Sequence, residues 1–136
     1  YYFNGGRFYS DVNFNSVQVD NMYYQTICNA QIDGNIIWVM RDGKTPIGAF
    51  ISRPVYQIAE FNNLRVAHLR FVIVDAKYRG GNVGQILFRS FFDYLAESCD
   101  IIVTGLESNN LVSLNLHNKF NFKYNFTHLA YHLWLT

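Results

Sequence analysis

The sequence predicts a mixed α/β fold, with a mostly antiparallel central sheet of about six strands and helices on both faces. Three observations carry this prediction. The β-branched run Val72 to Val74 is typical of a buried strand. Apolar residues then recur at helical spacing from Val83 to Leu95. A second β-branched strand follows at 101–107, and a helix that connects two strands of one sheet makes them parallel neighbours.

The remaining elements follow from the same periodicities and from turn residues. Asn15 or Ser16 can cap a first helix. Asp42-Gly43 predicts a hairpin turn between two strands, and Gly48 inside the second strand predicts a bulge or a close approach of another backbone. The first predicted helix has apolar positions up to Ala30 and is ended by Asp33-Gly34, and the other predicted helices are 82–98 and 109–120. The predicted strands are 36–40, 46–52, 66–74 and 101–107, with one or two more in the tail at 122–135.

The composition is that of one compact domain. The chain has 136 residues, of which 50% are hydrophobic and 18% aromatic, so one core can be filled. We therefore expect a single domain over residues 1–136. The net charge of +1 argues against a nucleic-acid or membrane-surface binder, because either would carry a basic excess. No apolar run reaches the roughly 20 residues of a transmembrane helix.

Cys28 and Cys99 are the two cysteines, and neither has the spacing of a metal site. We interpret both as thiols in or near the core of a protein from a reducing compartment, and therefore expect a cytoplasmic location. No other group of His, Cys, Asp and Glu has metal-ligand spacing, so the sequence predicts no metal cofactor.

The most informative stretch is the turn between the β-branched strand and the second helix. It runs from Tyr78 to Gly84 and contains glycines at 80, 81 and 84. The first turn of a helix offers unpaired amides and about half a positive charge. Glycines let the backbone close around an anion, and Arg79 adds a cation. The turn predicts phosphate binding, and a surface turn before a core helix is the alternative.

Two common phosphate-binding motifs do not fit this turn. A dinucleotide fingerprint needs Gly-x-Gly-x-x-Gly, and a P-loop ends in Gly-Lys followed by Ser or Thr. The segment from Val74 to Gly84 instead resembles the pyrophosphate turn of the GNAT acyltransferases, Arg/Gln-x-x-Gly-x-Gly/Ala after a strand that ends in Val. Asn82 stands where the first motif Gly belongs, and Asn tolerates unusual backbone angles better than most residues.

Stretches near both ends of the chain resemble the same family. Asn110 is followed seven residues later by His117, where the family has Tyr, and Asn121 takes the place of the usual Gly before Phe. The closing segment 130–135 is similar to the last strand of one branch, the TDP-fucosamine acetyltransferase-like proteins. The segment 7–11 is similar to that branch too.

The resemblance implies the GNAT acyl-CoA N-acyltransferase fold and transfer of an acetyl group from acetyl-CoA, as cosubstrate, to a primary amine of a small molecule. The acceptor implied by the branch is a nucleotide-linked amino sugar. The alternatives are a peptide or protein N-terminus, or a module that binds CoA without turnover. We expect no nucleic-acid or membrane partner, and a homodimer is one option for the assembly.

The residues that the resemblance assigns to the coenzyme lie on the strand end, the turn and the start of the last helix. Backbone N–H groups near the strand end are candidates for stabilising the oxyanion. The coenzyme-binding residues are Phe71, Val72, Ile73, Val74, Arg79, Gly80, Gly81, Asn82, Val83, Gly84, Asn110 and Ser113.

Two histidines are candidates for proton transfer. By position, His117 would protonate the leaving thiolate. With reference pKa values, transfer from imidazolium to thiolate is downhill by roughly 2.7 kcal/mol, whereas transfer from tyrosine is uphill by about 2 kcal/mol. The alternative for His117 is a polar contact to the coenzyme. His68 on the central strand resembles in position the glutamate base of the histone-acetylating branch, and a water chain is the alternative. His128 and His132 share a face with Trp134, either in an acceptor pocket or on sheet surface.

Overall fold

The structure is a computed structural model that describes residues 6–58 and 62–135. The chain divides into two compact units. The first comprises residues 20–105, and the second comprises residues 6–19 and 106–135. The prediction of one domain over residues 1–136 remains a prediction.

Three helices, five strands and one short 3-10 turn form in the described residues. The helices are α1 (Ser16–Asn29), α2 (Val83–Leu95) and α3 (Leu111–Lys119), the strands are β1 (Ile36–Asp42), β2 (Thr45–Ser52), β3 (Tyr56–Ile58), β4 (Leu64–Val74) and β5 (Ile101–Thr104), and the 3-10 turn is Ala76–Tyr78.

The sheet is mixed and mostly antiparallel, as predicted. β1 pairs with β2, and β2 and β3 both pair with β4, all antiparallel. β5 pairs with β4 in parallel, and α2 is the crossover between them. The predicted α/β fold class is therefore confirmed.

Helices cover both faces of this sheet. On one face, Phe91 of α2 stacks on Phe50 of β2 with ring centroids 4.6 Å apart, and both side chains are fully buried. Phe50 and Ile51 point to opposite faces because side chains alternate along a strand. Phe71 pairs with Ile51 in register and meets the ring of Tyr23 from α1 at 6.3 Å. The apolar spacing of α1 and α2 therefore places the two helices on opposite sides of the sheet.

Gly48 marks a close approach between β2 and its neighbours, as its position in a strand predicted. A Cβ at Gly48 would lie 3.1 Å from the Ile73 carbonyl oxygen and 3.1 Å from Leu87 Cδ2. The register of β1 and β2 also shifts between Met40 and Arg41. Only a residue without a side chain leaves room for β4 and α2 to pack this closely.

The second unit is held together by aromatic rings and by Asp11. Phe14 meets the ring of Trp134 at 4.9 Å, and Phe8 stacks on His132 at 5.5 Å. The Asp11 carboxylate accepts hydrogen bonds from His132 and Trp134. The tail of the chain is therefore fixed by side-chain contacts to the segment that precedes α1.

The prediction of one or two strands in the tail is wrong. Residues 122–135 form no ladder in the described part of the chain, so its sheet has five strands rather than about six. Tyr131 and Leu133 are 84% and 85% exposed, while the side chains between and beyond them bind Asp11. The alternation of exposed and bound side chains therefore reflects an extended segment that contacts Asp11 on one side and pairs with no described strand.

The two cysteines differ in burial. Cys99 is buried, as predicted, whereas Cys28 is exposed near the end of α1. The interpretation of both thiols as lying in or near the core is therefore wrong for Cys28.

Candidate active site

The turn after β4 is fixed at both ends by side-chain hydrogen bonds to the backbone. Asp75 Oδ1 accepts a hydrogen bond of 2.9 Å from the Lys77 amide. Arg79 Nε donates a hydrogen bond of 2.9 Å to the Val74 carbonyl oxygen. The guanidinium of Arg79 therefore stays beside the last residue of β4, where it adds positive charge next to the start of α2.

The glycines of the turn leave its outer surface open. Gly80 has a φ of +81°, a conformation that favours glycine. A Cβ added at Gly80 or at Gly81 would meet nothing within 4 Å. The space above these two residues is therefore accessible to a ligand.

Asn82 replaces a motif glycine without backbone strain. Its φ of −83° and ψ of −5° are right-handed helical values, which any L-residue can adopt. Its side chain makes no capping hydrogen bond to α2. The departure from the family pattern at this position therefore leaves the turn geometry intact.

The N-terminus of α2 presents amides toward the turn. The first hydrogen bond of the helix joins the Ile86 amide to the Asn82 carbonyl oxygen at 2.9 Å, so the amides of Val83, Gly84 and Gln85 precede the helical ladder. No acidic residue lies in this first turn. These amides, the partial positive charge of the helix and Arg79 are suited to a diphosphate such as that of CoA.

β4 extends past the end of β5. Leu69 pairs with Ser52 on one side and with Thr104 on the other, and Thr104 is the last residue of β5. β4 nevertheless continues to Val74. The segment from Phe71 to Val74 therefore presents an edge that lies outside the β5 ladder and leads directly into the glycine turn.

A bulge in β4 lies at the point where this segment begins. Ile51 pairs with Phe71 and Ser52 pairs with Leu69, so Arg70 is an extra residue with no counterpart on β2. Bulges bend a strand and redirect its side chains. The guanidinium of Arg70 lies 6.0 Å from the centre of the Phe71 ring.

His68 precedes the bulge on β4 and is half-buried. Its carbonyl oxygen accepts hydrogen bonds from the Arg53 amide at 3.0 Å and from Ser52 Oγ at 3.1 Å. Burial lowers the pKa of His68, and the charges of Arg53 and Arg70 lower this pKa further. The imidazole is therefore held in the neutral form, which can accept a proton.

His117 lies in the second unit and is 3% exposed. Its Nδ1 lies 2.8 Å from the Ser113 carbonyl oxygen. A carbonyl oxygen only accepts, so Nδ1 carries the proton and Nε2 has the lone pair in the neutral ring. Burial lowers the pKa of His117, although the hydrogen bond to Ser113 opposes this shift. The neutral ring is therefore the favoured form near neutral pH.

Asn110 and Ser113 open the helix that carries His117. Asn110 Oδ1 accepts a hydrogen bond of 3.1 Å from the Ser113 amide, which is a helix N-cap. After the helix, Asn121 has a φ of +63°, the left-handed conformation that Gly usually supplies and that Asn also adopts. The replacement of the family's Gly by Asn121 therefore preserves the end of α3.

The site residues predicted from the sequence fall into two groups. His68, the end of β4 and the turn to Gly84 are contiguous in the first unit. Asn110, Ser113 and His117 lie together in the second unit. Sequence reasoning missed Arg53, because a single arginine after a strand carries no pattern and its position beside His68 depends on strand pairing.

The described residues show neither a metal-binding cluster nor a membrane-spanning helix. In residues 6–58 and 62–135, no three His, Cys, Asp or Glu side chains are grouped as they would be around a metal ion. Among the helices that the structure describes, none is long and apolar enough to cross a membrane.

Comparison with known proteins identifies the family. The family model described as the acetyltransferase (GNAT) family matches residues 7–122. No curated protein matches the chain.

Solved structures of acetyltransferases share the fold. A ribosomal-protein-alanine N-acetyltransferase from Brucella melitensis biovar Abortus 2308 has a TM-score of 0.65 at 15% identity, over 84% of this chain and 80% of that one. An acetyltransferase from Trypanosoma brucei has a TM-score of 0.60 at 17% identity, over 88% and 81%. An aminoglycoside acetyltransferase from an uncultured soil metagenomic sample has a TM-score of 0.61 at 10% identity, over 74% and 66%. With the family model matching most of its length, this chain belongs to the GNAT family of acetyl-CoA-dependent N-acetyltransferases.

Proposed function

We propose that this protein transfers the acetyl group of acetyl-CoA to a primary amine of a small molecule, by direct attack within a ternary complex. One observation carries the proposal: β4 continues past β5 and leads into an open glycine turn at the N-terminus of α2. This arrangement offers an extended edge for the thioester arm and a cluster of amides for the diphosphate.

The coenzyme would be bound chiefly by backbone groups. Amides from Gly80 to Gly84, together with Arg79, would hold the diphosphate. Backbone N–H groups between Phe71 and Val74 would face the carbonyl oxygen of the thioester and stabilise the negative charge that develops there. Asn110 and Ser113 are assigned to the coenzyme by the family resemblance.

His68 is the candidate for general base. An ammonium acceptor must lose a proton before its nitrogen can attack, and a neutral imidazole can take that proton. Burial and two neighbouring guanidinium groups keep His68 neutral by lowering its pKa. The nitrogen then bonds to the carbonyl carbon, and the carbon–sulfur bond breaks with its electron pair on the CoA thiolate. The nitrogen gives its second proton to solvent water as the amide forms.

His117 is the candidate for returning a proton to this thiolate. Because Nδ1 is bonded to the Ser113 carbonyl oxygen, only Nε2 can exchange a proton without breaking that bond. The lowered pKa makes the imidazolium a minor species and a stronger acid. His117→Ala should therefore reduce kcat more than it weakens acetyl-CoA binding, and equal kcat values in variant and parent would remove this role.

The acceptor is proposed from the tail and the first described residues, which are similar to those of the TDP-fucosamine acetyltransferase-like branch. That similarity favours a nucleotide-linked amino sugar. A protein N-terminus is the second candidate, since a ribosomal-protein-alanine N-acetyltransferase shares the fold at a TM-score of 0.65. A cytoplasmic location and a homodimer are part of the same proposal.

The experiment that tests the function has two stages. Calorimetry with acetyl-CoA measures coenzyme binding, and an absence of heat would favour a module without turnover. Acetyl-CoA consumption is then followed with a panel of amines that includes TDP-amino sugars, simple amino sugars and peptides. Turnover with peptides alone would contradict the small-molecule acceptor.

A further inference from the structure

Two arginines are neighbours of His68, one across from it at the end of β2 and one further along β4. Arg53 follows the last residue of β2, and its amide bonds the His68 carbonyl oxygen at 3.0 Å. Arg70 is two positions further along β4, at the bulge. Both residues are exposed. Two positively charged residues that act on His68 therefore lie near the start of the edge where the thioester would lie.

The backbone at this point is held firmly. Ser52 is fully buried, and its single hydroxyl proton is shared between the carbonyl oxygens of Arg53 and His68, which lie 2.9 and 3.1 Å from Oγ. The Arg70 side chain lies near the Phe71 ring, which in turn contacts Tyr23 of α1. Arg70 therefore lies within β4, and the backbone of Arg53, directly after β2, is hydrogen-bonded to β4.

The charge at this place is positive and has no described counter-ion. The pKa of His68 is lowered by burial, by the charge of Arg53 and by the charge of Arg70. Within residues 6–58 and 62–135, neither Arg53 nor Arg70 forms an ion pair, whereas Arg65 pairs with Asp100 at 2.7 Å. β5 places Val103 opposite His68 in register, which adds no charge.

We infer that the acceptor amine carries an anionic group, a phosphate or a carboxylate, and that Arg53 and Arg70 bind it beside His68. This inference rests on the proposed function and deepens it. Guanidinium groups match the paired oxygens of both anions. Binding there would place the amine of the same molecule within reach of the proposed base and select against neutral amines.

The charges of Arg53 and Arg70 also affect which acceptor binds and how readily His68 takes a proton. Two fixed cations disfavour an ammonium group unless an anion offsets them, so an acceptor with both charges is favoured over a simple amine. When the anion binds, it offsets the positive charge that lowers the pKa of His68. The base would therefore become a better proton acceptor when the correct substrate is bound.

Matched substrate pairs test the inference. Glucosamine 6-phosphate against glucosamine isolates a phosphate, and alanine against alaninamide isolates a carboxylate. We expect kcat/KM to be about tenfold or more higher for the anionic member of at least one pair, since a hydrogen bond to a charged group is strong enough for that difference. R53Q/R70Q should remove the preference through KM, whereas Arg89→Gln, an exposed arginine on α2, should keep it.

Binding is measured separately, so that the result does not depend on turnover. The His68 ring resonances are followed by NMR while glucosamine 6-phosphate, alanine or inorganic phosphate is added. In the parent protein the pKa of His68 should rise on binding, and in R53Q/R70Q it should not respond. Equal use of charged and neutral amines overturns the inference, as does the absence of any response of His68 to these anions. Failure to bind acetyl-CoA would instead overturn the proposed function and leave the NMR result standing.

Discussion

Asp11 and His132 are 121 positions apart in the sequence, and Asp11 Oδ2 lies 2.6 Å from His132 Nδ1. The same oxygen accepts a hydrogen bond of 3.0 Å from Trp134 Nε1. The Asn13 amide, His132 and Trp134 together hold the pKa of Asp11 well below its usual range. One carboxylate thus connects the segment before α1 to the end of the chain.

Asp11→Asn should loosen the tail. The neutral amide loses the charge that attracts both ring donors, so residues 129–135 should be cleaved faster by chymotrypsin, which cuts after aromatic and large apolar residues. Asp33→Asn replaces an exposed carboxylate elsewhere and serves as the control. Equal cleavage rates in Asp11→Asn and the parent would show that the tail does not depend on this contact.

Gly48→Ala should destabilise the first unit. The new Cβ would lie 3.1 Å from the Ile73 carbonyl oxygen, and backbone must move to accommodate it. We expect a loss of about 1–3 kcal/mol in the free energy of unfolding, as for other overpacked sites, measured by urea denaturation. Gly105→Ala is the matched control, because a Cβ there meets nothing within 4 Å. A Gly48→Ala protein as stable as this control would contradict the close approach.

Gly84→Val should abolish acetyl-CoA binding while leaving α2 folded. Valine would place a branched side chain beside the amides that are proposed to hold the diphosphate. Valine also forms helices better than glycine, so a loss of binding would not reflect loss of the helix. Calorimetry measures the affinity and circular dichroism the helix content, with Arg89→Val on the same helix as control. Unchanged affinity would exclude this turn as the coenzyme site.

The pH dependence of turnover should report His68. A base must be neutral, and burial, Arg53 and Arg70 lower the pKa of His68. The acid limb of kcat/KM should therefore lie below about 6.5, the ordinary value for histidine. R53Q/R70Q removes two of the three causes, so the limb should move up toward that value, whereas Arg89→Gln should leave it in place. An acid limb that is the same in R53Q/R70Q and the parent would contradict His68 as the base.

The same shift has a consequence for stability. Below about pH 6.5 the unfolded chain binds a proton at His68 that the folded protein resists. The free energy of unfolding should therefore fall as the pH drops from about 6.5 through the lowered pKa. The buried His117 should change the free energy of unfolding in the same direction, since its pKa is lowered too. Urea denaturation at several pH values measures this slope.

The sequence predicted the elements whose signals are local. The periodicity of α1 and α2 and the role of Gly48 appear where expected, because each depends on side-chain spacing or backbone preference. The hairpin also forms, but its turn is Gly43-Lys44 rather than Asp42-Gly43, because Asp42 still pairs with Thr45. Asn82 and Asn121 looked like departures from the family motif. The structure gives each a backbone conformation that asparagine accepts.

The features that sequence reasoning missed depend on pairing between distant segments. The bulge at Arg70 and the position of Arg53 beside His68 are set by the register of β2 on β4. The tail has the alternating residue pattern of a strand, yet its inward side chains His132 and Trp134 bind the carboxylate of Asp11 and the segment pairs with no strand that the structure describes. Neither relationship leaves a pattern within one stretch of residues.

Because β5 ends at Thr104, the sheet is less stable than a fully paired one, but it keeps a strand edge at which another molecule can bind. If parallel pairing continued beyond Thr104, β5 would cover the edge of β4 up to Val74, and the sheet would be more stable. The same pairing would cover the strand edge along which an extended ligand would bind. A longer β5 would therefore make the protein more stable and would block the edge of β4 at which a ligand could bind.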